Sequence, residues 1–272
     1  MRKNRVNLGS FIKGRRFSPK LIGATIIILL ASCLIIGYIW KVLSTSDYFT
    51  IKDVITRESN IVDLSFLLDK NIFSVDLGKE AGYILETFPN YNKIRLIRVL
   101  PNRIFVDFIK RKPVALVKLY RYFALDKEGV LFYGSDEPQE LELPLILGLE
   151  TKIFGPRPGK KYNIKEILLA LNIIREGKRN RVLKDYKIKR INVANPTTAS
   201  ILITLTPKTP DYTSIQTIRG LEGLEVRLGE DNIKNKIIIL AGLLGQAKNE
   251  LANIKYIDLR FKEPVIKFKD AK

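Results

Sequence analysis

The hydrophobic pattern begins with one long, uninterrupted apolar run near the N-terminus. Residues 21–40, LIGATIIILLASCLIIGYIW, contain no charged side chain. Twenty helical residues rise by about 30 Å, which matches the hydrocarbon core of a bilayer. Tyr38 and Trp40 lie at the end of the run, and such amphipathic rings favour the headgroup layer. The pattern therefore predicts a transmembrane helix over residues 21–42.

A cleaved signal peptide is the alternative interpretation of this run. The apolar region of a signal peptide is about 7–15 residues long and is followed by small residues at the cleavage site. The run in this chain is longer and ends in the bulky sequence GYIW. An uncleaved membrane anchor is therefore the favoured prediction.

Residues 48–115 mix the two-residue period of strands with the spacing of amphipathic helices. The predicted elements are a strand over residues 49–56, helices over 61–68 and 77–88, and strands over 94–100 and 104–109. Pro89 ends the second helix, and Pro101 with Asn102 forms the turn between the last two strands. Two helices on one face of a three-stranded sheet would close a small α+β core.

Residues 116–269 are richer in strands and predict a mixed β domain with flanking helices, followed by a short tail over 270–272. LELPLILG, residues 141–148, contains Pro144 and suits an edge or crossing segment better than a central strand. Asn163 is a candidate N-cap for the first helix. The predicted strands cover residues 116–125, 130–133, 186–193, 200–206, 224–228, 256–261 and 264–268, and the helices cover 163–175 and 232–248.

Charge is distributed unevenly about the apolar run. The tail over residues 1–20 has seven basic residues and no acidic one, so the positive-inside rule keeps it in the cytoplasm and places the rest of the chain outside. Removing these seven from the net charge of +19 leaves +12 on residues 41–272. Nucleic acid is scarce outside the cell, so anionic lipid or an acidic envelope polymer is the expected neighbour. The seven residues are Arg2, Lys3, Arg5, Lys13, Arg15, Arg16 and Lys20.

Composition excludes several kinds of catalytic and metal site. The chain has no histidine and a single cysteine, Cys33, so a Ser-His-Asp triad, a His-zinc site and a Cys-His nucleophile cannot be built. Neighbouring carboxylates occur only in predicted turns and loops, where they are usually solvated, so we predict no catalytic, metal or cofactor site. The carboxylate pairs are Asp126 with Glu128, Asp136 with Glu137, and Glu140 with Glu142.

Three segments of the first half resemble the POTRA domain of the FtsQ/DivIB cell-division family. They are IFSVD (residues 72–76), the Phe88-Pro89 pair, and IRLIRVLPNRIFVDFIKRKPVA (residues 94–115). The family often has an acidic residue before the arginine of its Arg-x-Pro-Val-Ala exit, where this chain has Lys110. The residues that match the family pattern are Phe73, Asp76, Pro89, Arg98, Pro101, Arg111 and Pro113.

The second half resembles the same family in four further segments. They are DKEGVLF (126–132), LPLILG (143–148), EVRLG (225–229) and YIDLRF (256–261). The family order of basic tail, single span, POTRA domain (48–115) and β domain (116–269) therefore covers the whole chain. The implied fold class is α+β with one N-terminal transmembrane helix, a strand-helix-helix-strand-strand POTRA domain and a mixed β domain.

The resemblance implies a non-enzymatic scaffold of the bacterial divisome. FtsQ-like proteins bind the single-span proteins FtsB and FtsL, and the FtsB segment adds a strand near the C-terminal end of the sheet. The POTRA domain would recruit other divisome proteins, with a folded spacer as the alternative role. The expected location is the cytoplasmic (inner) membrane at the division septum. The alternatives are a membrane-anchored POTRA protein of outer-membrane or secretion assembly and, less favoured, a cell-wall enzyme.

The residues implied in partner binding lie in the last two predicted strands. Strict alternation over residues 256–261 would place Tyr256, Asp258 and Arg260 on one face and Ile257, Leu259 and Phe261 on the other. Periodicity alone is equally typical of an ordinary last strand with one buried face. Phe261 is the first candidate for a buried anchor. The full implied set is Tyr256, Leu259, Arg260, Phe261, Glu263, Val265, Ile266 and Phe268.

Overall fold

A computed structural model describes residues 19–57, 63–134, 142–205, 223–246 and 251–269 of the 272-residue chain. The chain divides into two compact units. The first unit holds the residues up to 81 together with 95–107, and the second holds 82–94 together with 108 onward. The predicted domain boundaries, 48–115 and 116–269, stay a prediction.

Helix α1 spans Pro19–Thr45 and contains the apolar run. Its stretch Gly23–Thr45, with a mean hydropathy of 2.4, is long and apolar enough to cross a membrane. The described side chains of this stretch are mostly exposed, as expected for a helix that faces lipid. The predicted basic residues up to Arg16 lie outside the described residues, as does the tail over 270–272, and the side chain of Lys20 is not described.

A three-stranded sheet follows α1 in the chain. Its strands lie in the order β1-β3-β2, with β1 parallel to β3, and the helix α2 precedes β2 in the sequence. The core of the first unit includes the fully buried Ile51, Leu67 and Ile72. The elements are β1 (Asp53–Thr56), α2 (Leu77–Thr87), β2 (Tyr91–Val99) and β3 (Arg103–Lys110).

The first predicted helix, over residues 61–68, is much shorter in the structure. Residues 58–62 lie outside the described part, and from Asp63 onward only Ser65–Leu67 is helical, as one turn of 3₁₀ helix. The Asp63 carboxylate accepts the Ser65 N–H at 2.9 Å at the start of this turn. Leu64 and Leu67 are buried. The spacing of the apolar residues therefore reflects the buried side of this single turn and not one face of a longer helix.

A nine-stranded mixed sheet forms most of the second unit, in the order β12-β11-β10-β9-β8-β7-β4-β5-β6. Helices α3 (Lys165–Arg179) and α4 (Ile233–Gln246) bury their apolar stripes in the same core as the sheet. The strands are β4 (Pro113–Lys118), β5 (Tyr122–Asp126), β6 (Leu131–Tyr133), β7 (Leu145–Leu147), β8 (Tyr186–Asn192), β9 (Ser200–Leu205), β10 (Leu224–Arg227), β11 (Ile254–Asp258) and β12 (Val265–Phe268). The predicted α+β class with an N-terminal apolar helix is confirmed.

Two local predictions in the second unit were wrong. The segment with Pro144 is not an edge, because β7 lies between β4 and β8 and is parallel to both. Pro144 is tolerated because it precedes the strand, where its carbonyl accepts the Leu116 N–H at 2.9 Å. Helix α3 begins at Lys165 with Ile164 as its N-cap and no capping side chain, so Asn163 is not the cap.

Candidate partner-binding surface

Strand β12 forms one end of the nine-stranded sheet. It pairs antiparallel with β11, with Val265 opposite Asp258 and Ile266 opposite Ile257. On its other side, no strand among the described residues pairs with it. Such an edge presents backbone N–H and C=O groups that a partner strand can pair with.

Exposed apolar side chains surround this edge. Phe261 is 63% exposed, Val265 46% and Phe268 50%, whereas Ile266 is partly buried against the core. Large apolar side chains that cluster beside an open strand edge are typical of a protein-binding surface. We call Phe261 and residues 265–268 the β12 edge.

The strand predicted over residues 256–261 ends at Asp258 in the structure. Leu259 remains buried and donates its N–H to the Arg227 carbonyl at 2.8 Å. The Asp258 carboxylate then accepts the Arg260 N–H at 3.1 Å, which turns the chain out of the strand. Phe261 is therefore exposed and does not share the buried face of Ile257 and Leu259, so the predicted alternation was wrong at this residue.

A buried carboxylate holds Arg260 in place. The carboxylate of Asp258 accepts bonds from Arg260 Nε at 2.9 Å and from Nη2 at 2.6 Å. These hydrogen bonds are the largest cause of a lowered pKa for Asp258, and burial opposes them. The Arg260 guanidinium is partly exposed and lies 5.8 Å from the centre of the Phe261 ring. The bidentate pair therefore orders the segment that carries Phe261.

The implied binding residues do not all face outward. Leu259 is buried and Tyr256 is half-buried, whereas Glu263 is exposed beside Phe261. Sequence reasoning missed Arg227 of β10, whose guanidinium lies 4.0 Å from the centre of the Tyr256 ring. The parallel pairing of β10 with β11 brings these two residues together, and local periodicity carries no sign of that pairing.

The residues of the first unit that match the POTRA pattern make hydrogen bonds and packing contacts within that unit. Arg98 donates from Nε to the Ile72 carbonyl at 2.7 Å and from Nη2 to the Val75 carbonyl at 2.8 Å. Asp76 directly precedes α2, and its carboxylate accepts the N–H groups of residues 78 and 79 in the first turn of the helix. Phe73 packs its ring 5.1 Å from that of Phe49, and Pro101 lies in the turn between β2 and β3.

Arg111 is the centre of a buried polar network in the second unit. Its Nη1 lies 2.7 Å from Asp126 Oδ2, and its Nε donates to the Pro89 carbonyl at 3.0 Å. The guanidinium also contacts Asn92 Oδ1 at 3.3 Å, and Pro113 begins β4 two residues later. The ion-pair partner of this arginine is thus an acid 15 residues downstream in the chain.

Among the described residues, the acidic residues of the predicted carboxylate pairs are Asp126, Glu128 and Glu142. Asp126 is buried in its ion pair with Arg111, and Glu128 is exposed. Glu142 is exposed and has a lowered pKa, chiefly because Lys187 donates a hydrogen bond to it. The pair Asp136 with Glu137, and Glu140, lie outside the described residues. Within the described ranges, no group of three metal-ligating side chains occurs.

One apolar helix, a small α+β unit and a nine-stranded sheet with an open edge define a membrane-anchored α+β protein. The family described as "Cell division protein FtsQ/DivIB, C-terminal" matches residues 115–260, more than half of the chain. The chain therefore belongs to the FtsQ/DivIB family of cell-division proteins, and its single apolar helix among the described residues is that of a single-pass membrane protein.

Full-length relatives agree with this family. The chain is 21% identical to Cell division protein FtsQ of Geotalea daltonii over 258 residues, which are 92% of this chain and 86% of the relative. It is 25% identical to the FtsQ of Syntrophotalea carbinolica over 238 residues, which are 85% of this chain and 78% of the relative. The similarity therefore extends through both units.

Proposed function

We propose that this protein is a non-enzymatic scaffold of the bacterial divisome. It would bind FtsB-like and FtsL-like single-span proteins and thereby control septal cell-wall synthesis. The β12 edge carries this proposal, because β12 has no second partner strand in the described part of the chain and exposes Val265 and Phe268 near Phe261, which suits recognition of an extended peptide. Membership of the FtsQ/DivIB family supports the same role.

The proposed mechanism of binding is addition of a partner strand to β12. Backbone hydrogen bonds along the outer edge would supply affinity that does not depend on the partner's sequence. Specificity would come from side chains, with Ile266 and Phe268 on one face of the strand and Val265 on the other. Phe261 would contact the partner from the segment between β11 and β12.

The first unit offers a second surface for divisome proteins. On the sheet, Ile55 of β1 lies beside Phe105 of β3, and Ile55 and Ile97 of β2 are exposed. Ion pairs border these residues, between Arg103 and Asp53 at 3.8 Å and between Arg95 and Asp107 at 4.0 Å. An apolar stripe with charged borders resembles the core and rim of a protein interface.

The proposed topology places the N-terminus in the cytoplasm and both units outside the inner membrane, at the division septum. Seven basic residues and no acidic one precede the apolar run, whereas the twenty residues after it hold three basic and three acidic residues, and this asymmetry supports the orientation. In this location, the net charge of +12 on residues 41–272 favours an anionic envelope polymer or membrane lipid as a neighbour, and nucleic acid is not an expected partner.

Phe261→Ala should weaken capture of an FtsB-like peptide by at least about 1 kcal/mol, or about fivefold in Kd, because truncation removes an apolar anchor from the edge. Isothermal titration of the full chain in detergent would measure this change. Phe154→Ala is the matched control, since Phe154 is also an exposed phenylalanine but is not part of the β12 edge. Equal affinities for the two variants would remove Phe261 from the site.

A fluorescent protein fused to the N-terminus should form a band at midcell in dividing cells. A divisome scaffold concentrates where the septum forms, whereas an assembly factor of the outer membrane or of secretion is expected around the whole cell envelope. Time-lapse fluorescence microscopy would measure the ratio of midcell to lateral signal. Uniform labelling of the membrane throughout the cell cycle would contradict the division role.

A further inference from the structure

The connection between α1 and the rest of the first unit, which we call the folded unit, is short. Helix α1 ends at Thr45, and only Ser46 precedes a 3₁₀ turn over Asp47–Phe49. Ile51 is already fully buried in the first unit. Six residues reach at most about 20 Å when extended, and here half of them are coiled into the turn.

Asn71 joins the end of α1 to the first unit through its side-chain amide. Its Nδ2 donates to the Leu43 carbonyl at 2.9 Å and contacts the Ser46 carbonyl at 3.3 Å. Its Oδ1 accepts the Phe73 N–H at 2.9 Å. The amide thus satisfies a carbonyl in the last turn of α1, where carbonyls have no partner within the helix.

Aromatic rings make a second connection at the same place. The Phe73 ring lies 6.2 Å from that of Trp40 and 5.1 Å from that of Phe49, both in edge-to-face arrangements. Trp40 belongs to α1, whereas Phe49 and Phe73 belong to the folded unit. Each such aromatic pair contributes about 0.5–1.5 kcal/mol beyond its buried area, so the rings restrain the helix.

Backbone hydrogen bonds continue the connection into the core. The Ile72 N–H donates to the Phe49 carbonyl at 2.9 Å, and the Ile51 N–H donates to the Lys70 carbonyl at 2.9 Å. The Lys52 N–H donates to the Asn102 carbonyl at 2.9 Å, which places the turn between β2 and β3 beside the residues that follow α1.

The surface at this end of the first unit has the character of a membrane interface. Tyr48 is 66% exposed and Leu100, in the turn, is 58% exposed. Amphipathic rings and long basic side chains both favour the headgroup layer. The exposed charged side chains at this end of the first unit are of both signs. Such a mixture suits contact with a lipid headgroup layer better than it suits a binding site for a single anion. These side chains are Lys41, Lys52, Lys70 and Arg103 with Asp47, Asp53 and Asp69.

We infer that α1 and the rest of the first unit form one rigid body whose basal surface, formed by Tyr48, Lys52, Lys70 and Leu100, lies in the lipid headgroup layer. We call the contacts that Asn71 and Phe73 make with the end of α1 the clamp. Because the clamp leaves no flexible linker after α1, this surface must stay next to the bilayer that α1 crosses, and the bilayer is its occupant. The inference rests on membrane insertion of α1 and does not depend on the division role.

Spin-label accessibility would test this placement. Cys33→Ser removes the single native thiol, so a nitroxide on Lys52→Cys becomes the only label. In vesicles of phosphatidylethanolamine and phosphatidylglycerol, we expect its collision ratio for oxygen over a water-soluble nickel chelate to be about twofold or more above that of a label on Arg95→Cys. Arg95 is exposed and pairs with Asp107 in the middle of β2, four residues before the end of the strand at the β2–β3 turn.

Surface variants distinguish headgroup contact from the clamp alone. Tyr48→Ser with Leu100→Ser should lower the ratio at residue 52 towards that at residue 95, because both side chains are exposed at this surface. Circular dichroism would check that the variant stays folded, since Tyr48 also contacts the Phe49 ring at 5.2 Å. Tyr120→Ser, which alters an exposed tyrosine of the second unit, is the matched control and should leave the ratio unchanged. Asn71→Ala with Phe73→Ala should also lower the ratio by releasing the clamp.

Equal ratios at residues 52 and 95 in the unaltered background would overturn the inference, as would an unchanged ratio in the Tyr48 and Leu100 variant. Alkaline carbonate extraction reports insertion of α1 independently of label depth, and a chain that is extracted would also overturn it. A failure of the midcell experiment would leave these readings unaffected, so the two proposals can fail separately.

Discussion

Replacing Arg111 with alanine should lower the free energy of unfolding of the second unit by about 3–5 kcal/mol. The side chains of Arg111 and Asp126 are only 8% and 7% exposed, and their charged atoms lie 2.7 Å apart. Removing the guanidinium leaves the Asp126 carboxylate buried without its countercharge. That carboxylate cannot turn to solvent, because its Oδ1 accepts the N–H groups of Glu128 and Val130 in the β5–β6 turn.

Chemical denaturation of the full chain in detergent, followed by circular dichroism, would measure this loss. Arg175→Ala is the matched control, since Arg175 also pairs with a carboxylate, that of Glu176 at 3.2 Å, but is exposed. The partner Glu176 is buried but keeps its ion pair with Arg179 at 3.1 Å when Arg175 is removed, so the control should lose only about 0–1 kcal/mol. If both variants lost the same stability, Arg111 would not be a buried structural charge.

Gly148→Ala should lower the free energy of unfolding by about 2–5 kcal/mol. Gly148 follows β7 with φ +88°, a left-handed conformation that costs an L-residue about 1–2 kcal/mol. An added Cβ would lie 2.4 Å from the Ala194 nitrogen and 2.5 Å from its Cα. Because these are backbone atoms, relief of the overlap requires the segments that follow β7 and β8 to separate.

Thermal unfolding would measure this effect, with Gly155→Ala as the control. Gly155 also has a positive φ, +58°, but an added Cβ there would meet no atom within 4 Å. The control therefore isolates the backbone strain from the overlap, and we expect it to lose no more than about 1–2 kcal/mol. A Gly148 variant as stable as the Gly155 variant would show that the close approach to Ala194 relaxes freely.

Local pattern predicted the elements of this fold better than their arrangement. The long uncharged run predicts α1, and the helical spacing of Ile233, Ile237 and Leu240 predicts that one face of α4 is buried. The interior position of β7 follows from its pairing with β4 and β8. Leu145 of β7 pairs with Leu116, 29 residues before it, and with Arg190, 45 residues after it, and no local period indicates such pairing.

The candidate site shows the same limit. Family resemblance pointed to the last strands, and the structure places β12 at a sheet edge. Alternation failed at Phe261 because a hydrogen bond between Asp258 and the Arg260 backbone ends the strand. Asn71 contacts residues at the end of α1 that lie more than 20 positions before it in the chain. The hydrophobic pattern around Asn71 and that of α1 give no sign of these contacts.

The pairing of Arg260 with Asp258 has a consequence for the energetics of recognition. Ordering a long, rotamer-rich side chain costs about 0.5–1.5 kcal/mol when it occurs during binding. Here the guanidinium is already fixed by two short hydrogen bonds before any partner arrives. A partner strand that adds to β12, as proposed, would therefore meet a preorganised edge, and differences in affinity among its variants should appear mainly as differences in the lifetime of the complex.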